Sequence, residues 1–208
     1  MPESRLPGHQ ASPDDLCFGS ESTMNYAAAF ETALPYQEFL SKYGTAEQQR
    51  RWADFRASIS LTEQQRELLG KFTREMKVLV MAGAWCGDCV NQCPMFEHFA
   101  AATPQIHVRY ADRDDHPELA AALATCGGAR VPAVVFLSED GQFCGRYGDK
   151  TLSKYRQTVS RLEGASCPTG LGTDQDLTQA VLQDWLNEFE RIQWMLRTSS
   201  RLRQLHGD

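Results

Sequence analysis

Apolar positions along this chain change period twice. In residues 24–76 they recur three and four apart, at Phe39, Leu40 and Tyr43 and then at Trp52, Phe55 and Ile59, which is the spacing of a buried helix face. Thr45 with Gln48, and Thr62 with Gln65, stand at capping-box spacing and predict two helix starts. From residue 77 the pattern becomes continuous. The run KVLVMA at 77–82 suits a strand buried on both faces, ended by Gly83. A helix is predicted over about 86–102 and a second strand over 106–110. A further helix through Leu119 and Leu123 is bracketed by Pro117 and Gly127. Strand, helix, strand, helix in that order predicts parallel pairing through right-handed crossovers.

Residues 134–137 read as the next strand, Asp140-Gly141 as a hairpin signal and 142–147 as the returning strand. Leu152, Tyr155, Val159 and Leu162 then supply the apolar face of another helix. Gly164, Pro168, Gly170 and Gly172 mark a linker. Beyond it Leu177, Val181, Trp185, Phe189, Ile192 and Leu196 form the apolar face of a long terminal helix. That face needs a partner, and the N-terminal helical segment is the first choice, with a second copy of the chain next. The organisation expected is a mobile tail at 1–22, a helical extension at 23–76, an α/β core at 77–163, a linker at 164–175 and a C-terminal helix at 176–208.

With 208 residues and 42% hydrophobic content, one domain with appendages is the expectation. A net charge of -6 argues against a protein that tracks nucleic-acid phosphates, so no nucleic-acid partner is expected. The first 24 residues contain no apolar core of a secretory signal, and no run approaches the length of a membrane span. A cytoplasmic protein with no membrane partner is therefore expected. Its seven cysteines are odd in number and scattered, unlike a disulfide framework. In a reducing compartment they are free thiols, and a close pair becomes a candidate for chemistry.

That pair is Cys86 and Cys89, in Trp85-Cys86-Gly87-Asp88-Cys89, between a buried strand and a helix. A cysteine at a helix N-terminus is favoured as thiolate by unpaired backbone N–H groups, which predicts a lowered pKa for Cys86. Cys89, one turn further in, would stay a thiol until it resolves a mixed disulfide. Trp85 would shield one side, and the charge of Asp88 would oppose part of the helix effect. Metal readings are weaker. Cys86, Cys89, Cys93 and Pro94 match the end of a bacterial ferredoxin run, but Gly83 stands where an earlier ligand would fall, and His98 is a poor addition. Asp112, Arg113, Asp114, Asp115 and His116 read as a solvated loop and helix cap. Cys17, Cys126, Cys144 and Cys167 read as incidental thiols. No nucleotide, haem or flavin motif is present, so no metal and no cofactor is expected.

The segment VLVMAGAWCGDC resembles the active-site strand and turn of the thioredoxin superfamily, with Pro94 where that family bends its active-site helix. Arg130-Val131-Pro132-Ala133 leading into VVFL is similar to the family's cis-proline segment, and the WCGDC motif with helical extensions resembles a group of bacterial thioredoxin-family proteins. The resemblance implies a thioredoxin-like α/β fold, a central mixed sheet flanked by helices, with the N-terminal helical extension and C-terminal helix added. It also implies a thiol-disulfide oxidoreductase: Cys86 attacks, Cys89 resolves, and Val131 and Pro132 pair with substrate. Partners would be protein or small-molecule disulfides and a reductase or small-thiol electron donor. Two departures stand out. Val80 occupies the position of the family's buried aspartate, and Tyr110 that of its lysine partner. They favour an alternative, a redox-sensing or redox-inactive interaction module, whereas the intact dithiol favours the enzyme.

Overall fold

The computed structural model describes residues 24–163 and 174–208. The expected tail, and all but the last two residues of the expected linker, lie outside the described residues. Four helices come first: α1 (Tyr26–Thr32), α2 (Tyr36–Tyr43), α3 (Ala46–Ser58) and α4 (Glu63–Gly70). Both capping boxes form. Thr45 accepts from the backbone of Gln48 while the Gln48 side chain accepts from the Thr45 N–H, and Thr62 with Gln65 repeats the arrangement, so two of the open N–H groups at the start of α3 and two at the start of α4 find acceptors.

The sheet follows, with strands β1 (Met76–Ala82), β2 (Ile106–Asp112), β3 (Ala133–Ser138) and β4 (Phe143–Gly148) in spatial order β2-β1-β3-β4. β1 and β2 are parallel and the other two pairings antiparallel, a mixed sheet with β1 and β3 at its centre. The outer edge of β2 is met by the extension: Leu34 exchanges backbone hydrogen bonds of 2.9 and 2.7 Å with Tyr110. In the hairpin, Gly141 has φ +80°, and a Cβ there would stand 2.8 Å from the Ala27 side chain of α1.

Register divides the side chains into two faces. Val78, Val80, Tyr110, Val134, Phe136 and Tyr147 share one face, and Leu79, Met81, Val135 and Leu137 the other. Helices α5 (Gly87–Val90) and α6 (Cys93–Ala102) follow β1, and α7 (Pro117–Ala122) follows β2. After β4 come α8 (Leu152–Glu163), α9 (Asp174–Thr198) and α10 (Ser200–His206). The first face is covered by α6 and α9. Phe189 meets Phe136 at 5.1 Å with rings perpendicular, Trp185 meets Tyr147 at 5.0 Å and Phe96 at 4.7 Å, and Phe99 closes on Phe189 at 5.1 Å.

Two expectations are corrected here. The apolar face of the terminal helix is buried within the chain, mainly on the sheet and α6, while the extension meets its first turns, where Phe55 lies beside Leu177 and Val181. The sheet offers that helix a broad aromatic surface, whereas the extension sets Tyr36 and Phe39, backed by Trp52, against Tyr110 of β2. With α9 on the sheet, α8 is left outside. Leu152 and Leu162 are 54% and 81% exposed, and Tyr155 and Val159 are exposed as well, so that stripe is no core face. No helix among the described residues is long and apolar enough to cross a membrane.

Phe189→Ala is expected to destabilise the protein by about 3–5 kcal/mol, the usual cost of emptying a packed aromatic site. Leu162→Ala should fall within about 0.5 kcal/mol, as for an exposed position. Urea unfolding of the two variants measures the contrast.

Candidate active site

Strand β1 ends in a turn held from below and beside. Cys86 donates its backbone N–H to Gly83 O at 2.9 Å, and its own carbonyl accepts from Val90 N at 3.0 Å, opening α5 with Cys86 as N-cap. Trp52 of the extension donates its indole N–H to Ala84 O at 2.9 Å, fixing the turn to α3. A Cβ on Gly83 would meet the Trp85 ring at 2.7 Å, so only glycine lets that ring lie against the strand end. Trp85 is 44% exposed, and the Arg113 guanidinium stacks 4.5 Å from its ring centre.

The helix expected over 86–102 is broken. α5 spans four residues, Asn91 and Gln92 turn, and α6 begins at Cys93 with Pro94 in its first turn, where a residue without an N–H is tolerated. Cys86 therefore has a single helical turn behind it, and the expected lowering of its pKa is not found. The hydrogen bond shared with Cys89, and then burial, push the Cys86 thiol up. Burial pushes Cys89 up too, against a hydrogen bond from Cys86 that acts the other way. Cys86 is half-buried, while Cys89 and Cys93 are fully buried.

Opposite Cys86, the Val131-Pro132 bond is cis, and the Cys86 Sγ donates to Val131 O at 3.5 Å. Gly148, at φ +112°, lies so close to this segment that a Cβ would stand 2.4 Å from Pro132 O. The end of β4 thus packs on the proline loop and delivers Asp149 and Lys150 to the dithiol. Lys150 Nζ stands 2.9 Å from Asp88 and 3.2 Å from Asp149. Asp149 is buried. It also accepts from the Tyr155 hydroxyl and lies 3.7 Å from Arg130. Burial alone would raise its pKa, but Tyr155 and Lys150 outweigh it and hold the carboxyl below its usual value. For Lys150, burial works against the charge, and Asp88 and Asp149 win, keeping the ammonium protonated above its usual range.

Gln92, buried in the break between α5 and α6, joins these parts. Its amide donates to Asp88 O at 3.2 Å and Asp149 O at 3.1 Å and accepts from the Trp185 indole at 2.9 Å. One side chain so links the dithiol turn, the loop after β4 and α9. Sequence reading missed Gln92, Trp52, Asp149 and Lys150. Only the position of Asp149-Lys150, in a loop just past a strand end, carried any signal.

Beneath the dithiol, Val80 is buried in the sheet and Tyr110 reaches α6, its hydroxyl 2.9 Å from Glu97 and 3.3 Å from Cys93 O. Burial raises the pKa of Glu97 against the Tyr110 hydrogen bond and the charge of Arg56. The acidic loop turns on buried Asp112, and the expected helix cap is not formed, since α7 has His116 as N-cap with no side-chain hydrogen bond. Asp112 accepts from Asp114 N and Asp115 N at 2.9 and 3.3 Å. His98 Nε2 is engaged with Arg56 O, and among the described residues no three His, Cys, Asp or Glu side chains converge as a metal site. Cys126 and Cys144 lie away from the dithiol as free thiols, and Cys17 and Cys167 fall outside the described residues.

A family model described as thioredoxin matches residues 33–159, which include the dithiol turn, the cis-proline segment and most of the extension. The chain belongs to the thioredoxin family. Among solved structures, a Pseudomonas aeruginosa protein of unknown function aligns with a TM-score of 0.65 and 19% identity, over 82% of this chain and 97% of its own. An HIV epitope-scaffold aligns with a TM-score of 0.58 and 21% identity, over 79% of this chain and 99% of its own. At those identities the likeness is one of fold, and it takes in helices beyond the region matched by the thioredoxin model. No curated protein matches the chain.

Because the folded-state pKa of Glu97 lies above its unfolded value, its ionisation opposes folding, and any advantage of the neutral acid is lost as pH rises through the folded pKa. Glu97→Gln keeps an acceptor for Tyr110 without the charge. It should raise the melting temperature at pH 8 and change it little at pH 4, as thermal unfolding at the two pH values will measure.

Proposed function

We propose that this protein is a thiol-disulfide oxidoreductase acting on protein or small-molecule disulfides through Cys86 and Cys89. Membership of the thioredoxin family supports a role of this general kind. The observation that carries the finer reading is the half-buried Cys86 thiol against Val131 O, with the fully buried Cys89 behind it. One thiol can be reached by a partner, and the other, closed off from solvent, touches Cys86 and Cys93.

In this reading an extended partner backbone pairs along Val131 and Pro132. The Cys86 thiolate attacks one sulfur of the partner disulfide, that S–S bond breaks, and the departing sulfur leaves as thiolate. Cys89 then loses its proton and attacks the Cys86 sulfur, releasing the second partner sulfur. Two electrons pass to the partner, and the protein is left with a Cys86–Cys89 disulfide. A reductase or small-thiol donor restores the dithiol. No bound cofactor is required, and the proposed compartment is the cytoplasm, where the scattered cysteines of this chain would stay reduced.

The redox-sensing or redox-inactive reading draws on two observations: the upward push on Cys86, and Val80 in place of an acidic group on β1. Trapping separates the two. Cys89→Ser should accumulate mixed disulfides with partners through Cys86 when isolated from cells under thiol-blocking conditions, and Cys86→Ser should not. The wild-type protein should also reduce insulin disulfides. Equal background adducts in both variants, with no insulin reduction, would transfer the assignment to the interaction module.

A further inference from the structure

Asp88 lies between the two cysteines in sequence, and an uncompensated carboxylate there opposes formation of a Cys86 thiolate. The helical turn behind Cys86 is four residues long, and its backbone N–H groups at Asp88 and Cys89 favour the thiolate but are outweighed by burial and the Cys89 thiol. Lys150 meets Asp88 at 2.9 Å, and its ammonium is mostly withdrawn from solvent, so the contact is screened less than a surface pair.

Lys150 does not stand there by its own flexibility. Asp149, its neighbour in the chain, holds the ammonium at 3.2 Å and is itself fixed by the Tyr155 hydroxyl and by Arg130 at 3.7 Å. The Asp149 carbonyl is held by Gln92, which the Trp185 indole orients. The same Gln92 amide holds the Asp88 carbonyl, so the two ends of the Asp88–Lys150 pair are tied to one buried side chain.

We propose that Lys150 is a positioning residue of the dithiol, cancelling the charge of Asp88 so that a thiolate can form at Cys86. The inference rests on the oxidoreductase reading for its purpose but not for its test. The charged and titratable groups around the pair are Cys89 and Asp88 on α5, Asp149 and Lys150 after β4, Tyr155 on α8, Arg130 before β3, and Arg113 on the Trp85 ring. Of these, Lys150 alone is paired with Asp88.

The test is the pH profile of Cys86 alkylation by iodoacetamide in the full-length reduced protein, read for the Cys86 peptide by mass spectrometry. Lys150→Met should slow alkylation at pH 7 by roughly three- to tenfold and move the profile to higher pH. Asp88→Asn should move it to lower pH, the Asp88→Asn/Lys150→Met double variant should return close to wild type, and Lys150→Arg should keep the wild-type profile. Opposite signs with mutual cancellation are the mark of a charge effect; loss of packing would slow or speed both single variants alike. Shifts of one sign, or none, would overturn the proposal even if insulin is reduced. The four-variant pattern without insulin reduction would uphold the Lys150 assignment while removing the oxidoreductase reading.

Discussion

The structure depends on how one sheet face is covered. Val78, Val80, Tyr110, Val134, Phe136 and Tyr147 form a surface that cannot stay in water, and α9 lays Trp185 and Phe189 across its β3–β4 side while α6 brings Phe96 and Phe99. Perpendicular aromatic packing of this kind adds about 0.5–1.5 kcal/mol per pair beyond the area buried. Trp185 carries a polar atom into that interface, and a buried indole N–H needs an acceptor. Gln92 supplies it, and the remaining hydrogens of its amide go to the Asp88 and Asp149 carbonyls. Satisfying one buried donor thereby fixes the geometry of the dithiol turn and of the loop that faces it.

The electrostatics of the site follow from the same placement. Cys86 is pushed up by Cys89 and by burial, which outweigh the backbone N–H groups of its short helix. The contributions that oppose this push come from the backbone N–H groups of Asp88 and Cys89 in the motif itself, while the loop after β4 brings Lys150 to the Asp88 carboxylate. In the sheet, β1 carries buried Val80 and β2 the paired Tyr110, which is hydrogen-bonded to Glu97 of α6. Any proton leaving Cys89 thus leaves into surroundings unlike those of a carboxylate directly under the dithiol.

Much of this was legible from residue pattern. The strands, the two capping boxes, the hairpin and the dithiol turn each rest on local signals of a few residues, and local signals survive folding when nothing long-range competes. The errors came where two segments competed for one surface. Leu152, Tyr155, Val159 and Leu162 have good helical spacing, and so do Leu177, Val181, Trp185, Phe189 and Ile192, but the sheet face has room for one of them beside α6. The larger aromatic side chains of α9 bury more area, and α8 remains outside. The break between α5 and α6 was hidden for another reason: Pro94 is compatible either with a kinked helix or with a new one, and the choice is made by Gln92 hydrogen-bonding across to Trp185 and Asp149.

Neither end of the chain is then an accessory to a complete core. The extension supplies Leu34 to the exposed edge of β2, where an unpaired strand would invite association, and Trp52 to the carbonyl of Ala84 in the active-site turn. The C-terminal helix supplies Trp185 to the opposite side of that turn and Gln193 to the chain entering β1, where its amide binds the backbone of Thr73 and Arg74. Trp52 holds the turn directly at Ala84 O, and Trp185 holds it through Gln92 at Asp88 O, from segments that precede and follow the sheet in sequence. Removing either segment would expose apolar surface and free a backbone or amide acceptor next to the cysteines, so stability and site geometry are coupled through the same two tryptophans.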